Sequence, residues 1–210
     1  MTPPPVAGGA RLAVFCSGEG TNLQAILEAL RRKRIPASVS LVVSDNPRAH
    51  ALARARRFGV ETLVLTSRDF PSRRRYEETL LRHLKARRIR YIVLAGFMRI
   101  LSPRLVRTYR NRILNIHPAL LPSFRGARAV RDAVRAGVKV TGVTVHLVDE
   151  GVDTGPIVLQ EAVSVKPGDT ERTLHQRIHR LEHRLYPKAI RLLVENRLRV
   201  VGRKVEVGGR

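Results

Sequence analysis

Leu12-Ala13-Val14-Phe15-Cys16-Ser17-Gly18-Glu19-Gly20-Thr21-Asn22 sets an apolar run against a glycine-rich turn, and the amphipathic stretch Leu23 to Arg34 follows. Such a short, wholly apolar run reads as a strand buried on both faces, and the turn delivers the chain into a helix. The alternation then recurs. Val39 to Val43, Thr62 to Leu65, Tyr91 to Leu94 and Ile113 to Ile116 read as further strands. Helical patterns near Ala49 to Phe58, Arg74 to Ala86 and Pro103 to Tyr109 lie between them. This order predicts a doubly wound α/β fold, a mostly parallel sheet with helices on both faces. Ligands are expected at the carboxyl ends of its strands.

The later sequence changes character. Arg128 to Ala136 is one more helix, and Val140 to Val148 alternates like a half-exposed strand. Val143, Val145 and Leu147 fall on one face of it, Thr144 and His146 on the other. Pro156 to Val165 is another strand, and Asp169-Thr170 caps a long helix reaching about Glu195. Leu198 to Val207 reads as a weak terminal strand pair around Gly202. No internal repeat or Pro/Gly linker divides the chain. One domain over residues 11–201 is therefore expected, with a disordered leader at residues 1–10 and a short tail at residues 202–210.

Composition narrows the class. With 210 residues and 43% hydrophobic content the chain suits one substantial globular domain. No apolar run approaches ~18 residues, so neither a membrane span nor a membrane partner is expected. Cys16, the single cysteine, leaves no disulfide framework and points to a reducing, cytoplasmic setting. The net charge of +23 invites a nucleic-acid partner, but aromatics make up only 4% and the cations spread over many helices. A solvated, Arg-rich surface is the simpler reading.

Chemistry concentrates in Leu114-Asn115-Ile116-His117-Pro118 and, downstream, Asp149-Glu150-Gly151-Val152-Asp153-Thr154-Gly155. Asn115 and His117 are two apart, so in an extended segment they share a face. The Asn115 amide can donate to a developing oxyanion, the His117 imidazole can carry a proton, and the Asp153 carboxylate can orient that ring. Ser17 to Asn22 can equally be a plain strand-to-helix turn or the seat of a small phosphate at a helix start. Leu23 stands where a dinucleotide fingerprint needs its third glycine, which disfavours a nicotinamide cofactor. His175, His179 and His183 share one helical face, formally a zinc arrangement, yet the surrounding Arg residues oppose a cation and no metal is expected.

Several long motifs in order carry a resemblance over roughly Arg11 to Val200. They are Ala95-Gly96-Phe97-Met98-Arg99-Ile100-Leu101-Ser102, Asn115-Ile116-His117-Pro118-Ala119-Leu120-Leu121-Pro122, and Val145-His146-Leu147-Val148 leading to Asp153-Thr154-Gly155-Pro156. Together they resemble the phosphoribosylglycinamide formyltransferases, folate-dependent enzymes of purine synthesis. The resemblance implies formyl transfer from 10-formyltetrahydrofolate, as co-substrate, to the glycine amine of 5′-phosphoribosylglycinamide. Asn115, His117 and Asp153 would be the catalytic trio, with His146 in support. Gly20, Thr21, Asn22, His179 and Glu182 would bind the ribonucleotide. Met98, Arg99, Ile100 and Leu101, with Val148, Asp149 and Glu150, would cradle the pterin, and Arg73 would meet the glutamate tail. A homodimer is compatible with this reading.

The sequence departs from that family after Phe124, where Pro-Gly and histidines usually stand and Arg125-Gly126-Ala127-Arg128-Ala129-Val130 occurs here. His179 replaces a customary Lys or Gln, and Glu19 is expected to point away from the phosphate. Methionyl-tRNA formyltransferases and formyltetrahydrofolate deformylases resemble the same core. The first carries a second, tRNA-binding domain and the second an extra amino-terminal domain, for which this length leaves little room. A rival from another class, a nucleic-acid-binding α/β protein without catalysis, rests on charge alone.

Overall fold

Residues 9–208, which the computed structural model describes, begin directly with a strand. The strands are β1 (Ala10–Phe15), β2 (Ala37–Ser44), β3 (Thr62–Val64), β4 (Tyr91–Leu94), β5 (Ile113–His117), β6 (Val140–Leu147), β7 (Ile157–Ser164), β8 (Leu198–Val201) and β9 (Lys204–Val207). The helices are α1 (Thr21–Arg31), α2 (His50–Arg57), α3 (Arg73–Ala86), α4 (Pro103–Thr108), α5 (Ala129–Arg135) and α6 (Glu171–Val194). They build a nine-stranded sheet in the order β3-β2-β1-β4-β5-β6-β7-β9-β8. Strands β3 through β5 of that order pair in parallel, and β6 joins β5 antiparallel.

The alternation of side chains along β1 explains the two helical layers. Leu12 and Val14 enter a core shared with α1, α2 and α6, whereas Ala13 and Phe15 enter one shared with α3 and α4. The expected doubly wound α/β sheet is therefore present. Its strand order reverses beside β1, which opens a crevice between the loops after β1 and β4. Gly20 closes the first of these loops. Its φ of +73° is left-handed, and an added Cβ would meet the Ala51 Cα of α2 at 2.7 Å, so only glycine fits.

Strand β6 departs from its expected half-exposed character, since all its residues but Val140 are buried. The polar face is covered by the segment after β5. Thr144 Oγ1 donates to the Ala119 carbonyl at 2.7 Å and accepts from Leu121 N at 3.1 Å. Gln160 Nε2 donates to the same hydroxyl at 2.8 Å. Alternation marked the two faces correctly, but hydrogen bonding rather than water satisfies the polar one.

Residues 1–8 of the expected leader lie outside the described residues, and Ala10 pairs with Ala37 in the sheet. The expected terminal strand pair around Gly202 is present: β9 pairs antiparallel with β8 and touches β7 through Ile157 and Lys204, so the segment set aside as a tail belongs to the sheet. Among the described residues no helix is long and apolar enough to cross a membrane.

One side chain fastens α6 to the strands that bear the site. Tyr186 is fully buried, and its hydroxyl reaches the carbonyls of Leu94 at 2.7 Å and Leu114 at 3.0 Å. Tyr186→Phe keeps the ring and leaves those carbonyls without that donor, so stability should fall by about 1–3 kcal/mol in urea unfolding. An unchanged unfolding midpoint would show that the hydroxyl adds nothing to the fold.

Candidate active site

The crevice is a cleft of about 710 Å³. Gly20, Thr21 and Asn22 line it from the start of α1, and His179 and Glu182 from α6. Met98 to Leu101 enter from the loop after β4, and Val148 to Asp153 from the loop after β6. Asn115 and His117 come from β5 and His146 from β6. Every site residue expected from the sequence lines this cleft except Arg73, which is not in the wall. Arg73 instead donates to Glu77 and to the Ile100 carbonyl, at 3.2 and 3.1 Å, holding the loop after β4 from outside.

Asp153 organises the centre. Gly155 lets its loop fold back, because an added Cβ there would lie 1.8 Å from the Leu147 carbonyl oxygen. Asp153 itself has φ 51° in the left-handed region. Gly126 N donates to its Oδ2 at 2.9 Å and Asn115 Nδ2 to its Oδ1 at 3.3 Å. His117 Nδ1 lies 3.3 Å from Oδ2 and His146 Nε2 3.5 Å from Oδ1. Burial by itself would raise this carboxyl. The His146 and Gly126 hydrogen bonds, together with the His117 and His146 charges, outweigh it and hold the group at about 2.

The two histidines are 4% and 2% exposed, so their ring nitrogens need protein partners. His146 Nδ1 faces the Leu147 carbonyl at 2.9 Å and therefore carries a hydrogen. Its Nε2 lies 3.1 Å from Asn115 Nδ2 and 3.5 Å from Asp153 Oδ1, between a donor and an acceptor. Both nitrogens of His117 face acceptors, the Phe124 carbonyl at 2.8 Å and Asp153, which suits an imidazolium. Burial pulls the His117 pKa below the ordinary value, against the Asp153 charge and the Phe124 bond.

The α6 wall has the opposite electrostatics. Glu182 is 4% exposed, and burial pushes its carboxyl up to about 7 although Asn22 Nδ2 donates to it at 2.9 Å. Asn22 Oδ1 is buried without a hydrogen-bond partner. His179 is held down at about 4 by burial and by His175 and His183, so at neutral pH it is a neutral donor, not a cation. Glu19 lies at the cleft edge, its largely exposed carboxylate 3.6 Å from His50, and Arg54 donates to its backbone carbonyl at 2.8 Å.

Several wall residues went unassigned in the sequence. Glu171 and His175 join the α6 side, and Gly126 to Val130 line the cleft from the segment leading into α5, beginning beside Asp153. The helical period placing His175 on the face of His179 was the available signal. Ser17, in the loop after β1, ties the loops after β2 and β4, donating to Asp45 at 2.6 Å and accepting from Met98 N at 2.9 Å. Among the described residues no group of three or more His, Cys, Asp or Glu is arranged to hold a metal ion.

A doubly wound sheet whose strand ends gather an amide, an imidazole and a carboxylate defines an acyl-transfer type of site. Residues 10–190 match the family described as formyl transferase, and the chain belongs to that family. Phosphoribosylglycinamide formyltransferase of Bacillus subtilis (strain 168) is 42% identical over 184 residues, covering 88% of this chain and 94% of that protein. The crystal structure of glycinamide ribonucleotide transformylase 1 from Symbiobacterium toebii is similar with a TM-score of 0.93 and 48% identity, covering 96% of this chain and 95% of that one. The trifunctional purine biosynthetic protein adenosine-3 of Drosophila pseudoobscura pseudoobscura is 49% identical over 91% of this chain, which spans only 14% of that protein.

Glu182 gives the site a stability signature. Its folded pKa, about 7, lies above the ordinary 4.5, so its contribution is full below 4.5 and is lost as pH rises through about 7. Between pH 5 and pH 8, wild type should lose about 2–3 kcal/mol more unfolding free energy than Glu182→Gln. Equal losses in urea titrations at the two pH values would mean that Glu182 is not a buried, protonatable acid.

Proposed function

We propose that this protein transfers the formyl group of 10-formyltetrahydrofolate to the glycine amine of 5′-phosphoribosylglycinamide, a step of de novo purine biosynthesis. One observation carries the reading: a single cleft joins a helix start suited to phosphate, an apolar slot, and the buried Asn115–His117–Asp153 cluster. The 42% identity to the Bacillus subtilis enzyme along nearly its whole length supports the choice of substrates.

The ribonucleotide phosphate sits at Gly20, Thr21 and Asn22, where free amides and the helix dipole meet it. His179 donates to it as a neutral imidazole. Glu182 faces the ribose or amine of the same substrate. The pterin lies against Met98 and Ile100, which are 67% and 68% exposed without it, and along Arg99, Leu101 and Val148 to Glu150. Arg99 is stacked 4.8 Å from the Tyr76 ring and so is held at the slot. Arg73, already anchoring Ile100, stands on the side where the folate's glutamate tail leaves.

The amine then attacks the formyl carbon, and a tetrahedral intermediate forms with negative charge on the former carbonyl oxygen. Asn115 donates to that oxygen by exchanging one of its Nδ2 contacts, to Asp153 or to His146, for the oxyanion. His117, whose pKa burial lowers in the free protein, gains positive charge as the oxyanion develops, with Asp153 favouring that charged form. To donate directly, its Nε2–H exchanges the Phe124 carbonyl for the oxyanion. Asp153, ionised at neutral pH, keeps the imidazolium favourable and accepts the amine proton through water on its way to the departing folate nitrogen. Such an oxyanion donor supplies on the order of 3 kcal/mol. His146 positions Asn115 and Asp153. The lone, buried Cys16 supports a reducing, cytoplasmic setting.

Asp153→Asn should lower kcat at least about a hundredfold while the unfolding transition stays cooperative. Near-normal turnover would remove the carboxylate from the mechanism. Thr21→Asp should raise KM for the ribonucleotide about tenfold through repulsion at the start of α1, with KM for the folate unchanged. An unaltered ribonucleotide KM would displace the phosphate from this helix.

A further inference from the structure

Outside the cleft, a second groove of about 880 Å³ runs along the α1–α6 pair. Helix α6 presents Arg180, Arg184, Lys188 and Arg191 to it, about one cation per turn over a run of roughly 16 Å. Arg32 and Arg34 enter from just beyond α1, and Glu28 is the only carboxylate in the lining. Arg184 is paired with Glu161 and Arg191 with Glu195. Among the described residues, Arg32, Arg34, Arg180 and Lys188 carry no ion pair.

Like charges one turn apart on a helix destabilise it, and here they stand within a Debye length of ~8 Å at physiological salt. An anion lying along the stripe would reverse that repulsion. The groove contains no Phe, Tyr or Trp on which a base could stack. It follows the crease between the packed helices α1 and α6, and its cations lie along that crease.

We propose that the α1–α6 groove binds an extended inorganic polyphosphate chain. Successive phosphates engage the α6 cations turn by turn, with Arg32 and Arg34 completing the far end. Thr21 borders both this groove and the cleft, but the proposal does not depend on the formyl-transfer reading.

The test is fluorescence anisotropy of labelled polyphosphate with the full chain at physiological salt, with single-stranded RNA of equal charge as second probe. One variant changes Arg32, Arg34, Arg180 and Lys188 to Gln. A charge-matched control changes Arg57, Arg110, Arg135 and Lys139, exposed cations outside the groove, to Gln. The groove variant should bind polyphosphate at least about tenfold more weakly and the control less than about twofold, with RNA the weaker ligand of wild type. Equal losses in the two variants, or no binding by wild type, would overturn the proposal. So would RNA binding more tightly than polyphosphate and losing affinity with the groove variant, which would make the groove a nucleic-acid site.

Discussion

A carboxylate taken out of water must find donors or give up its charge, and this constraint at Asp153 shapes the centre of the molecule. Its partners come from β5, from β6 and from the segment before α5, so keeping the group ionised brings those elements together. The left-handed backbone of Asp153 and the close approach at Gly155 are the local conditions for that gathering. Removing the charge therefore affects ring tautomers and amide orientation as well as a single acid.

The cleft sets two carboxyl groups apart by environment alone. Asp153, surrounded by donors, is held at about 2, while Glu182, buried with one amide donor, is pushed up to about 7. Opposite perturbation of paired titratable groups is a common way for one site to offer both a fixed charge and a proton. The α6 histidines extend the same logic, since their mutual proximity and burial keep His179 neutral beside the proposed phosphate seat.

Much of the fold was legible because the strands from Leu12 to Ile116 are short, largely apolar runs separated by amphipathic helical stretches, the pattern of a sheet covered on both faces. The polar face of β6 was misleading, since alternation cannot tell whether Thr144 meets water or the Ala119 carbonyl. Terminal strand β9 is a weak, exposed pattern whose partners depend on tertiary context. Within the site, spacing placed Asn115 and His117 on one face, and the helical period placed His175 and His179 on another. Long-range effects stayed hidden, among them the contact of Glu19 with His50 and the hold of Phe124 on His117. The unusual run after Phe124 also contributes through the Gly126 backbone amide, a contact that no side-chain comparison could reveal.

The central claim is transfer to a ribonucleotide acceptor, and folate absorbance measures it most directly. Purified protein is given 10-formyltetrahydrofolate in two cuvettes, one with 5′-phosphoribosylglycinamide and one without. The account predicts that deformylated folate appears only in the first. Equal release in both would mean hydrolysis of the formyl folate, and no release in either would contradict formyl transfer to this acceptor.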